Sequence, residues 1–135
     1  MSEVKLNRHG TNANIVGHIL PDKEMKKLRF NKNYYEGTEH EQYSLYWYML
    51  DSIKFKDKKY KGVDIGVTVK IYKDDCSVCV DVLDEDFGQP YDYQRMLQRD
   101  PGFEPALIVK EQVEEILDKL QKAGVLSGHE YGEYI

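Results

Sequence analysis

Two runs of alternating apolar residues, joined by a short charged stretch, constrain this chain more than any other feature. Val63, Ile65, Val67, Val69 and Ile71 alternate with Asp64, Gly66, Thr68, Lys70 and Tyr72. After Lys73, Asp74 and Asp75 the pattern resumes, with Val78, Val80 and Val82 set against Cys79, Asp81 and Leu83. Successive side chains of a strand point to opposite faces, so this period-2 pattern predicts a β-hairpin over residues 63–83 with one face buried and one polar.

A buried sheet face needs a cover, and residues 105–123 offer one. Val109, Val113, Ile116, Leu117 and Leu120 form a stripe at helical spacing. Pro105 suits a first helical position, where its missing N–H costs nothing. Glu115 with Lys119 and Asp118 with Lys122 are favourably ordered i,i+4 pairs. Gly124 falls where a left-handed C-terminal cap is wanted, with Val125 and Leu126 able to fold back on the last turn. The expected fold class is therefore α+β, an antiparallel sheet of about four to five strands with a C-terminal amphipathic helix packed on one face. The second face of the sheet is then solvated or bound.

The remaining elements are weaker. Residues 15–20 form a short apolar run stopped by Pro21 and read as a strand, and residues 21–25 can make one helical turn. Leu28 and Phe30 alternate with Arg29 and Asn31, which predicts a strand running into Tyr34 and Tyr35. Residues 43–55 admit two readings. As a strand, one face carries Tyr43, Leu45, Trp47, Met49, Ile53 and Phe55. As a helix, Tyr43, Trp47, Leu50 and Ile53 share a stripe, and Thr38 with Glu41 supplies a capping box. The aromatic density favours the strand. Residues 84–102 read as a loop with a helical turn at 93–98.

With 135 residues, the chain suits one domain, 1–135, with 1–12 a loose arm and 127–135 a tail. No apolar run approaches the roughly 18 residues that span a bilayer. Residues 1–5 lead into no apolar stretch, so neither a secretory signal nor a membrane partner is expected and the expected location is cytoplasmic. With two cysteines, a disulfide scaffold is not expected. Cys76 and Cys79 match C-x-x-C, but a strand sends residues three apart to opposite faces, and the four scattered histidines complete no zinc set. The acidic run from Asp84 fails as a calcium loop because its fifth and sixth positions are Gly88 and Gln89. No metal, cofactor or catalytic residue is assigned.

The net charge of −5 is unevenly spread: residues 1–61 carry +4 and residues 62–135 carry −9. Two surfaces follow from that polarity, unless the two halves neutralise each other in the fold. Tyrosine, present eleven times, is a rigid contact residue that tolerates one wet end. An acidic, Tyr-bearing surface built from Asp81, Asp84, Glu85, Asp86, Tyr91 and Tyr93 suits a basic protein partner and gives the leading expectation, a non-enzymatic binding protein. The first alternative is nucleic-acid contact through Lys54, Lys56, Lys58, Lys59 and Lys61, whose lysines would neutralise phosphates while Tyr46 and Tyr48 extend the same face. The second is a small enzyme with a carboxylate pair, Asp64 and Asp81, on the hairpin. A homodimer is a further open alternative.

Overall fold

The computed structural model describes residues 15–35, 44–73 and 76–127. The predicted loose arm, the capping-box residues Thr38 and Glu41, and the tail beyond Ser127 lie outside the described residues.

Five strands form one antiparallel sheet in sequence order: β2 (Asn31–Tyr35), β3 (Ser44–Ser52), β4 (Ile65–Tyr72), β5 (Val78–Asp84) and β6 (Gln89–Pro90). The expected hairpin is β4 with β5, and its register places Ile65 opposite Asp84 and Ile71 opposite Val78. Residues 44–52 adopt the strand reading, with Trp47 and Met49 on the buried face. Strand β4 is the centre of the sheet, and its Ile65, Val67, Val69 and Ile71 are fully buried.

Among the described residues three α-helices accompany the sheet: α1 (Asp22–Lys27), α2 (Tyr93–Arg99) and α3 (Glu104–Lys122). Helix α3 buries Ala106, Val109, Val113, Leu117 and Leu120, which join the Val/Ile face of β4 and β5 in one apolar core. Ile116, expected in that stripe, is only partly buried at its edge. Gln112 fixes the helix to the sheet, donating from Nε2 to the Lys54 carbonyl at 2.7 Å while its Oε1 accepts from the Lys54 amide at 2.8 Å.

Helix α3 ends as its sequence requires. Gly124 has φ +84°, its amide donates to the Gln121 carbonyl, and Val125 donates to the Leu120 carbonyl. That reversal buries Val125 and Leu126 and leads into a two-residue strand β7 (Leu126–Ser127), which pairs with β1 (Val16–Gly17). The expected strand over 15–20 is thus only two residues long, and Ser127 belongs to a strand pair rather than to a tail.

The expected strand through Leu28 and Phe30 is corrected. Helix α1 closes with the same cap geometry: Arg29 donates to the Lys26 carbonyl and Phe30 to the Met25 carbonyl. Phe30 and Met25 are both fully buried, as the apolar contact of such a cap demands. The alternation of Leu28 and Phe30 reflects a helix cap, and the strand begins only at Asn31.

Leu117 is buried between sheet and helix, so Leu117→Ala is expected to destabilise the fold by about 2–5 kcal/mol. A urea titration checks this as a lower midpoint at unchanged slope.

Candidate functional site

The acidic end of the hairpin is built by register. Beyond the Ile65–Asp84 pair, the Glu85 amide donates to the Asp64 carbonyl at 2.9 Å, and the Asp86 amide donates to Asp84 Oδ1 at 3.1 Å. Gly88, at φ +63°, turns the chain so that Gln89 pairs with Asp84 and Pro90 with Leu83. The turn therefore projects Asp86 and Phe87 into solvent, with Phe87 76% exposed, while the exposed Glu85 side chain lies back over Gly66. Sequence reasoning missed Phe87. Its signal was present, because an aromatic residue at the apex of an acidic run closed by glycine has no route back to the core.

Tyr91 stands behind this turn, half-buried, with its amide donating to the Val82 carbonyl at 2.8 Å. Burial raises the phenol pKa above the ordinary tyrosine value, and the Asp84 carboxylate and Tyr60 raise it further. Asp84, Glu85, Asp86 and Tyr91 thus meet at one end of the sheet.

The other two expected members separate from them. Asp81 lies three residues earlier, on the face of the sheet away from α3, where it pairs with Lys70 at 3.9 Å and accepts from Cys79 Sγ at 3.1 Å. Tyr93 is 4% exposed and belongs to the core. Asp92 caps helix α2 by accepting from the Arg95 amide, and this turns the first helical residue inward. Tyr93 is accordingly removed from the surface set.

The basic segment 54–61 reaches the same end of the sheet from the opposite direction. Asp57 caps a 3₁₀ turn (Lys58–Tyr60) by accepting from the Lys59 amide, and the Phe55 and Tyr60 rings pack 5.3 Å apart. Lys54, Lys56, Lys58, Lys59 and Lys61 are all exposed. Lys59 pairs with Glu104 at 3.2 Å and with Asp57 at 3.7 Å. The hydrogen bond to Glu104 and its charge raise the Lys59 ammonium pKa above its usual value.

The clamp from Gln112 draws this segment toward α3, so it does not extend the face that carries Tyr46 and Tyr48. Between segment and helix runs a groove of about 580 Å³, floored by Ile108 and Ile116. Asp51, Asp57, Glu104, Glu111 and Glu115 line it against Lys54 and Lys56 alone. A phosphate approaching the lysines there would meet carboxylates.

On the face away from α3, Tyr46, Tyr48 and Tyr72 cluster with ring centroids 5.4–6.0 Å apart, and Lys70 lies 5.9 Å from the Tyr46 ring. Asn33 Nδ2 donates to the Tyr46 hydroxyl at 2.8 Å. Asp64 and Asp81 share this side of the hairpin. Asp81 stands opposite Thr68, four residues from Asp64, which separates them by about 13 Å along the strand. They do not form a carboxylate pair.

No family model, curated protein or solved structure matches the chain. Among the described residues no helix is long and apolar enough to cross a membrane.

Tyr91 yields a pH prediction. Because its folded pKa lies above the unfolded one, its contribution to stability is complete below about pH 10 and is lost as pH rises through the folded pKa. An ultraviolet titration of the native protein is expected to show a late-ionising tyrosine that disappears in Tyr91→Phe.

Proposed function

We propose that this chain is a protein-binding module that presents its acidic, aromatic-bearing end to a basic surface on another protein. The observation that carries the reading is the 76% exposure of Phe87 at the apex of a turn flanked by Asp84, Glu85 and Asp86. Burying a ring of that size is worth roughly 1.5–3 kcal/mol, and the intramolecular fold leaves that gain unclaimed. At an interface such a ring is a natural anchor. The surrounding carboxylates favour cationic partners and raise the encounter rate. Tyr91, held in place by the bond to Val82 and partly buried, supplies a rigid contact beside the anchor at little cost in conformational freedom.

Nucleic-acid contact through residues 54–61 is less favoured, because Lys59 is engaged by Glu104 and Asp57 and the adjoining groove is lined mainly by acids. The carboxylate enzyme is less favoured because Asp64 and Asp81 stand apart.

The test places a photo-reactive phenylalanine analogue at position 87, in the cells from which the chain comes. A discrete adduct with a basic protein is expected. Reversing Asp84, Glu85 and Asp86 to lysine is expected to abolish it while leaving the melting temperature within a few degrees. An adduct indifferent to the charge reversal sinks the reading, as does its appearance with the analogue at Phe103.

A further inference from the structure

The strongest unassigned feature lies at the opposite edge of the sheet. Lys26, Arg29, Asn31 and Lys32, with Phe30 and Leu50, line a hollow of about 340 Å³, and no carboxylate lines it. Among the described residues neither Lys26 nor Arg29 is paired with an acid. Lys32 borders the hollow but sends its ammonium to the other face of the sheet, 3.5 Å from Asp22 and 5.6 Å from the centre of the Trp47 ring, so Lys26 and Arg29 are the cations the hollow offers.

Two explanations that would make this cluster ordinary are weak. Cations often collect at a helix C-terminus to satisfy its carbonyls, yet here the backbone cap has taken them: the Met25, Lys26 and Glu24 carbonyls accept from Phe30, Arg29 and Leu28. Nor is arginine the residue a left-handed cap selects. Arg29 sits at φ +69°, in the conformation that glycine occupies in the equivalent cap at Gly124. Side chains adopt it at a cost, and such strain is retained where the side chain serves another purpose.

The hollow also continues into an aromatic surface. Asn31 pairs across the ladder with Tyr48, and Leu50, 60% exposed, is the next residue on the same face. Tyr48 in turn stands 6.0 Å from Tyr46. A cationic hollow thus adjoins a flat, half-buried ring, with one apolar side chain open to water beside it.

We propose that this edge is a nucleotide-binding site, with the phosphate of a nucleoside monophosphate held by Lys26 and Arg29 and its base laid against Tyr48 and Leu50. A phosphomonoester carries about −1.5 to −2 at neutral pH, which matches the two cations of the hollow better than the single charge of a strand linkage does. The hollow has the size of a small-ligand site. The guanidinium of Arg29 offers forked donors suited to phosphate oxygens, and the Asn31 amide adds a neutral donor. A longer nucleic-acid strand is disfavoured, because beyond Leu50 and Thr68 the same row of the sheet ends at Asp81.

The site is separate from the acidic end and does not depend on the reading proposed for it. The test is an amide-resolved NMR titration of the full chain with the four nucleoside 5′-monophosphates, with parallel arms for adenosine, inorganic phosphate and an oligothymidylate octamer. At least one monophosphate is expected to give saturable shifts at residues 26–32 and 46–50, and to bind at least tenfold more tightly than adenosine or phosphate. Arg29→Gly relieves the left-handed strain, so it is expected to melt no lower than the wild type yet to bind at least tenfold more weakly. Tyr48→Ala is expected to weaken binding about tenfold, and Tyr48→Phe to preserve it. Phosphate binding as tightly as any monophosphate would reduce the site to an anion hollow and overturn the proposal. It also fails if the octamer binds far more tightly than every monophosphate, if Arg29→Gly binds normally, or if no shift is seen.

Discussion

The burial of one face of β4 beneath α3 fixes the position of everything else. Ile65, Val67, Val69 and Ile71 lie in the central strand and are covered by the Val109, Val113, Leu117 and Leu120 stripe. A strand alternates with an exact period of two, so a slip of one residue would send this whole set into water. The register is therefore held, and with it the identity of the opposite face: Gly66, Thr68, Lys70 and Tyr72 point away from the helix. Because β3 and β5 pair with β4 residue by residue, that choice also places Tyr46 and Tyr48 together with Asp81. The composition of the second face is a consequence of the first.

Parts of the fold that depend on local periodicity were legible in the sequence. The β4–β5 hairpin and helix α3, with its glycine cap, lie within a residue or two of their expected bounds. What failed depended on helix caps and side-chain contacts, near and distant, that a periodic pattern does not encode. Leu28 and Phe30 resemble a strand because a helix cap and a strand can both place apolar residues two apart; the burial of Met25 and Phe30 in one core distinguishes them. The acid flanking Tyr93 suggests a surface residue, yet the helix capped by Asp92 turns it inward. The direction of residues 54–61 is set by Gln112, which is 58 residues away from Lys54 in sequence, and no local pattern announces it.

The candidate surface was legible in composition and blurred in membership. Asp84, Glu85 and Asp86 were readable as a solvated acidic turn, and the fold gathers Tyr91 behind them. Asp81 belongs to a different neighbourhood because strand geometry carries it up the sheet, three residues from the turn. Phe87 is masked in the sequence by neighbours that advertise solubility. It is the apolar member of an otherwise charged loop, and the Gly88 turn prevents it from folding back.

The uneven charge of the two halves survives folding, and this shapes what the molecule can bind. Among the described residues most ion pairs join neighbours within one half, such as Lys27 with Glu24, Lys32 with Asp22 and Lys122 with Asp118, while Lys59 with Glu104 bridges the halves. Lys26 and Arg29 gather at the β2 edge, and Asp84, Glu85 and Asp86 gather beyond β5, three strands away in the sheet order. Three inter-strand spacings are about 14 Å, whereas charges in water at physiological salt are screened over about 8 Å. A ligand at either patch therefore feels mainly the charge of its own edge. A chain of net charge −5 can in this way hold an anion at one edge while offering carboxylates to a cationic partner at the other, and the sheet register keeps the tyrosine rings between the two on a single face.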